Sequence, residues 1–296
     1  MTDNMRGAFL MMGSMALFTL NYAVVKSLAA ELPVTQIVVL RGLVTSLAAG
    51  LLAWRMGAFG ARLGRRNRRL ILLRTAAEIV SAYFFLQALV NLPLANVSAV
   101  MQSAPLSVTL AAALFLAEPV GWKRLSAILA GFVGVLLILR PGGEGFNIFA
   151  LYSLAAVAFV TLRDLTTRRL SRDVPSMVVT LATAVGVTLA FSAASLATDW
   201  GPVGTGQGVL IGLAALLLTA AYLCSISAMR VGDVSFVAPF RYTSMLWALV
   251  LGFAVFGQWP DWITLAGAAL VVGSGLFTLY RERQLGRAPR VPVPPR

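Results

Sequence analysis

Residues 16–33 read "ALFTLNYAVVKSLAAELP" and residues 158–175 read "AFVTLRDLTTRRLSRDVP". At an offset of 142, Ala16 meets Ala158, Thr19 meets Thr161, Lys26 meets Arg168, Glu31 meets Asp173 and Pro33 meets Pro175. Further along, "LANVSAV" at 94–100 resembles "VGDVSFV" at 231–237, at an offset of 137. The matches fall in order along the chain, so the sequence holds a repeat. What the repeat means depends on how many times each copy crosses a membrane.

Composition says that it crosses. The chain is 59% hydrophobic, has a mean hydropathy of +0.84, and is only 12% charged, where a soluble domain carries about 25%. A bilayer core takes about 20 apolar residues in a helix. Runs of that kind predict ten spans: 7–28, 34–54, 70–90, 94–116, 121–139, 147–168, 175–197, 207–230, 232–256 and 261–280. Turns fall at Pro33, Pro93, Pro119, "RPGGEG" (140–145), Pro175, "DWGPVGTGQG" (199–208) and Pro260. The first span reads as a retained helix rather than a cleaved signal, because nine more follow. Each copy holds five spans. An odd number sends the second copy through the membrane the other way up, which is a device of secondary transporters with a site near the midplane between halves.

Loop charges agree. One face receives 18 Lys and Arg, six of them in 55–69, and the other receives Lys26 and Arg140. Both termini are therefore expected in the cytoplasm. Arginine outnumbers lysine 22 to 2, the usage of a GC-rich bacterial genome, so the expected location is a bacterial inner membrane. The net charge of +13 belongs to these loops and predicts no nucleic-acid partner. The proline-rich basic end is expected to be disordered. The predicted organisation is 1–142 for spans one to five, 143–283 for spans six to ten, and 284–296 for the tail.

Several classes are excluded. Histidine is absent, so no His-based metal site, triad or relay is available. The single Cys224 forms no intrachain disulfide and reads as a packing residue. No P-loop pattern is present for an ATP-driven pump. No cofactor or metal is expected.

Leu92 to Gly142, "LPLANVSAVMQSAPLSVTLAAALFLAEPVGWKRLSAILAGFVGVLLILRPG", closely resembles the EamA-type repeat of the drug/metabolite transporter superfamily. The matching features are "LPLA", the Pro-Leu in span four, "AEPVGW", "GFVGVL" and "RPG"; Arg41 in "VVLRGL" matches the arginine usual in span two. The second copy departs from the pattern, with Gln258 where the acidic residue of "AEP" would fall. The segment "GDVSFVAPFRYTSMLWALVLGFAVFGQWPDW" resembles the branch of YddG-type aromatic amino-acid exporters. The resemblance implies an all-α membrane protein of ten helices in two inverted five-helix repeats, with spans five and ten away from the cavity. It implies a secondary transporter, not an enzyme, that exports small metabolites. Amino acids with aromatic or apolar side chains lead, and nucleosides or cationic compounds are alternatives. A channel-like facilitator is the competing class. The expected partners are a small-molecule substrate and the lipid bilayer; the sequence leaves the oligomeric state open, and a monomer is allowed.

Three ionisable residues lie deep: Arg41, Glu78 and Arg241, the last about nine residues or roughly 13 Å into its span. An arginine at bilayer depth costs roughly 3 kcal/mol. Two readings stay open for each. In the structural one, Glu78 pairs with Arg74 one turn away, and the arginines cap loose carbonyls. In the functional one, a deep arginine without a carboxylate holds a substrate carboxylate by two parallel hydrogen bonds. Arg241 leads because Pro239 loosens the backbone beside it and Pro105 interrupts the corresponding span. Glu78 is the proton-coupling candidate. Arg163 and Asp164 are expected nearer the surface, where long side chains snorkel. Polar stripes Ser98–Gln102–Pro105–Thr109 and Ser14–Phe18–Asn21 are expected to face the interior. Phe18, Tyr83, Tyr222, Phe240 and Tyr242 complete the candidate substrate-binding set with Arg241, Gln102 and Asn21.

Overall fold

The computed structural model describes residues 2–60, 63–116, 120–142, 147–171 and 173–287. Ten helices there are long and apolar enough to cross a membrane: α1 (Asp3–Leu28), α2 (Val34–Arg55), α3 (Arg65–Asn91), α4 (Leu94–Leu116), α5 (Trp122–Leu139), α6 (Ile148–Arg168), α7 (Ser176–Ser195), α8 (Thr205–Val231), α9 (Ala238–Phe256) and α10 (Trp262–Arg287). Pro33, Pro93 and Pro175 stand at the N-caps of α2, α4 and α7, where a missing N–H costs no helical bond. Asn147 caps α6 by accepting from the N–H groups of Phe149 and Ala150 at 3.0 and 3.3 Å.

Four boundaries differ from expectation by a turn or more. The ninth span, expected from 232, opens at Ala238 after a short helix over Val234–Val237. The helices α1 and α3 start about one turn early, because polar first turns project past the apolar layer. The last helix runs on to Arg287, so 284–287 continue α10 instead of opening the tail. The remainder of the tail, the "AEP" motif at 117–119, Arg172 and residues 143–146 lie outside the described residues.

The packing pattern is that of an inverted repeat. The largest helix pairs are α1 with α8, α3 with α6, α5 with α10, and α2 with α7. Exchanging α1–α5 for α6–α10 turns α1–α8 into α6–α3 and maps the other two pairs onto themselves. Two hydrogen bonds join positions related by the same exchange, with donor and acceptor sides reversed. Ser14 Oγ donates to the Ala221 carbonyl at 2.7 Å, and Ser81 Oγ donates to the Ala156 carbonyl at 3.2 Å. Ser14 and Ala156 are 142 residues apart, Ser81 and Ala221 140. On the α5–α10 pair, a Cβ built on Gly134 would lie 2.6 Å from the Gly267 carbonyl, and the converse distance is also 2.6 Å. Backbones touch there, which only glycine permits. None of the residues that line the cavity described below belongs to α5 or α10.

Both interrupted helices are visible. Gln102 and Ser103 form a turn between Leu94–Met101 and Ala104–Leu116, and α9 opens as a 3-10 turn over Ala238–Tyr242. Pro105 lies in the first turn of the resumed helix, where proline is tolerated. The breaks are tied together: Gln102 Nε2 donates to the Arg241 carbonyl at 3.1 Å and to Ser244 Oγ at 2.6 Å.

The core is lopsided. Val25, Leu28, Leu32, Ile37, Leu86, Leu89, Leu94, Phe191 and Ile211 pack into one cluster in the arginine-poor half. Lys26 joins it by donating to the carbonyls of Leu89, Val90 and Leu92 at 2.6, 3.2 and 2.6 Å. It belongs to the last turn of α1 and caps the C-terminal end of α3, rather than sitting in a loop.

Candidate functional site

A cavity of about 420 Å³ opens between α1, α2, α3, α6, α7 and α8. That size falls within the range of small-molecule sites. Its walls run from Asn21, Tyr22, Val38 and Leu86, at the edge of the apolar cluster, to Leu52, Arg74, Thr167 and Met177 near the arginine-rich face. The cavity thus occupies the half of the protein that the apolar cluster leaves open.

Its deep end is aromatic. Phe18 and Tyr222 meet edge to face with centroids 5.1 Å apart, and Tyr22 meets Phe85 at 4.9 Å. Phe18 and Tyr22 are one turn apart on α1, so both present rings to the same side.

The charged groups are three arginines and two carboxylates. Arg163 donates through Nη1 to Glu78 at 2.9 Å and through Nε to Asp164 at 2.8 Å. The side chains of Arg163 and Glu78 are about four-fifths buried (22% and 19% exposed). This corrects two expectations. Glu78 is bonded to Arg163, and Arg163 does not reach outward; α6 packs along α3 and brings it in. Arg74 donates to hydroxyls: its Nε to Thr167 Oγ1 at 3.0 Å, and its Nη1 to Thr183 Oγ1.

Arg41 is held differently. Its Nη1 donates to Asn21 Oδ1 at 2.8 Å, and Asn21 is fixed in turn by donating to the Ala214 carbonyl at 2.7 Å. The Nε of Arg41 is buried and has no partner among the described residues. No ion pair to Arg41 occurs among them either. A neutral amide therefore aims a guanidinium into the cavity with donor capacity to spare.

Of the residues expected at the site, Phe18, Asn21, Arg41, Arg74, Glu78 and Tyr222 line this cavity. The others do not. Arg241 is exposed and Tyr242 is buried, with its ring against Gly275 of α10. Phe240 packs with Met11, Met15 and Val237. Tyr83 stands outside, against Phe84 and Tyr152. Gln102, Pro105 and Pro239 belong to the paired breaks, and the turn at Gln102 divides the polar stripe of α4. Ser14 is wholly buried against α8. Sequence reasoning places Tyr22 among the deep aromatics but not in the substrate-binding set, and leaves out Phe85 and the threonines of α7. The available signal was position: Tyr22 is adjacent to Asn21 and one turn from Phe18.

The EamA-like transporter family matches residues 5–140 and again 147–280. A riboflavin transporter of Vibrio cholerae is 31% identical over 74% of this chain and 74% of its own. The pseudopaline exporter CntI of Pseudomonas aeruginosa is 27% identical over 86% of this chain and 89% of its own. An S-adenosylmethionine uptake transporter of Rickettsia bellii is 27% identical over 65% and 66%. A solved structure described only as a crystal structure of protein matches with TM-score 0.65 over 94% of this chain and 98% of that one. At 19% identity it speaks for the fold alone.

Proposed function

The chain belongs to the EamA-like transporter family, and we propose that it exports a small metabolite with an aromatic or apolar body and a carboxylate, by alternating access. The observation that carries this is Arg41, a half-buried guanidinium whose buried Nε has no partner and which has no carboxylate among the described residues, beside Phe18, Tyr22 and Tyr222. A carboxylate fits two parallel N–H groups, and a flat body fits the rings. Arg41, rather than the exposed Arg241, is the carboxylate seat. Amino acids with aromatic side chains are the narrowest members of this class. The named relatives carry riboflavin, S-adenosylmethionine and pseudopaline, so the substrate range is wider than the branch suggested by 231–262.

The charge count makes the arginine-rich face cytoplasmic. The cavity then lies where an exporter loads. Packed apolar side chains fill the other half, which favours alternating access over a channel. Reporters fused at the C-terminus should score cytoplasmic, and those at Trp200 external. An external C-terminus would invert the loading side.

The deciding experiment is uptake into proteoliposomes of labelled aromatic amino acids, riboflavin, nucleosides and cationic drugs, with and without a pH gradient. Saturable uptake of a ring compound bearing a carboxylate is expected. Uptake confined to compounds that lack one, whether riboflavin, nucleosides or cations, refutes the proposal.

A further inference from the structure

Six threonines line the cavity: Thr45, Thr167, Thr180, Thr183, Thr188 and Thr219. Each hydroxyl donates to the carbonyl four residues back in its own helix, at 2.8 to 3.0 Å. A hydroxyl has one proton and two lone pairs, so all six are left as acceptors. Thr167 and Thr183 already accept from Arg74, and Thr188 contacts Ser46 at 3.1 Å. The oxygens of Thr45, Thr180 and Thr219 accept nothing among the described residues.

Back-bonded threonine is ordinary in an apolar helix, and one alone would mean packing. Here the company matters. Glu78 and Asp164, also in the wall, accept only, and Arg163 engages one oxygen of each. Arg41, one turn from Thr45 on α2, brings an Nε without a partner among the described residues. Donor capacity at Arg41 therefore stands beside the uncommitted acceptors of Thr45 and Thr219.

We propose that the transported molecule carries hydrogen-bond donors (ammonium, ring N–H or hydroxyl) beside its ring, and that Thr45 and Thr219 select for them while Arg41 holds its acceptor end. This rests on the transport reading above and narrows it from carboxylates in general to donor-bearing molecules. Simple aromatic acids are then poor substrates.

The test uses the purified full chain in nanodiscs and probe pairs that share a ring. L-phenylalanine is compared with 3-phenylpropionate, which lacks the ammonium. Riboflavin is compared with lumiflavin, which keeps the ring and lacks the hydroxylated chain. Dissociation constants come from ligand-dependent shifts in unfolding temperature. In at least one pair the donor-bearing member should bind about tenfold tighter or better. Thr45→Val or Thr219→Val, near-isosteric and unable to accept, should cut that gap several-fold without weakening the member that lacks the ammonium or the hydroxylated chain. Thr45→Ser should keep it. Equal binding within both pairs overturns the inference, as does a gap indifferent to both valine variants, or no binding by either donor-bearing probe. Failure of the carboxylate seat reads differently: Arg41→Ala would bind phenylpropionate as the parent does, while the threonine-dependent gap persisted.

Discussion

Arg41→Ala lowers uptake of a carboxylate-bearing substrate by roughly 100-fold, because one charge-assisted bidentate contact of about 3 kcal/mol is lost. The fold should survive, since Arg41 neutralises no carboxylate among the described residues and its bond to Asn21 is replaceable by water from the cavity. Arg41→Gln serves as the check on folding: its amide can still donate to Asn21 Oδ1 without a charge. It should elute as a monodisperse species and remain equally inactive. Arg41→Lys should recover little, because an ammonium lacks the planar fork. Arg241→Ala is the contrast. Only the backbone carbonyl of Arg241 takes part in the tie to Gln102, so removing its exposed side chain should change uptake by less than about threefold, within the range of surface substitutions. Parent-like uptake by Arg41→Ala, or an equal loss in Arg241→Ala, would return both arginines to structural roles.

The second large effect concerns Glu78 and Arg163. Arg163→Met leaves Glu78 and Asp164 without their shared cation. Breaking a buried pair costs about 3–5 kcal/mol, and the low end applies because about a fifth of each side chain stays exposed. Folding yield and unfolding temperature should both drop. Adding Glu78→Gln removes one of the stranded carboxylates and should restore most of the loss. Glu78→Gln alone is milder, since Arg163 keeps Asp164. It is also the variant that tests proton coupling. If Glu78 carries the proton, Glu78→Gln abolishes stimulation by a pH gradient while exchange of labelled for unlabelled substrate continues. Gradient-driven uptake that persists in a well-folded Glu78→Gln protein eliminates that role and leaves Glu78 as the partner of Arg163. A double variant no more stable than Arg163→Met would mean that Arg163 acts through packing, not charge.

Ten spans, their order and the repeat were legible in the chain because each depends on local properties. Bilayer length, apolar runs and proline positions are read within about 20 residues, and inversion follows from an odd span count. That Arg41, Glu78 and Arg241 fall inside apolar spans was legible for the same reason. Which of them faces the cavity was not. Hydropathy sees Arg41 and Arg241 as the same event, a guanidinium in an apolar helix. The difference is made by helix rotation and by partners far away in sequence. Ala214 fixes Asn21, which aims Arg41 inwards, whereas Gln102 anchors the Arg241 backbone among the paired breaks. Glu78 shows the same limit. Arg74 is its neighbour by helical period, yet the packing of α3 on α6 brings up Arg163 from 85 residues away. Sequence by itself determined what crosses the membrane, because burial in lipid is decided residue by residue. Tertiary structure alone decided what meets in the cavity, because a guanidinium or carboxylate takes the partner that packing delivers.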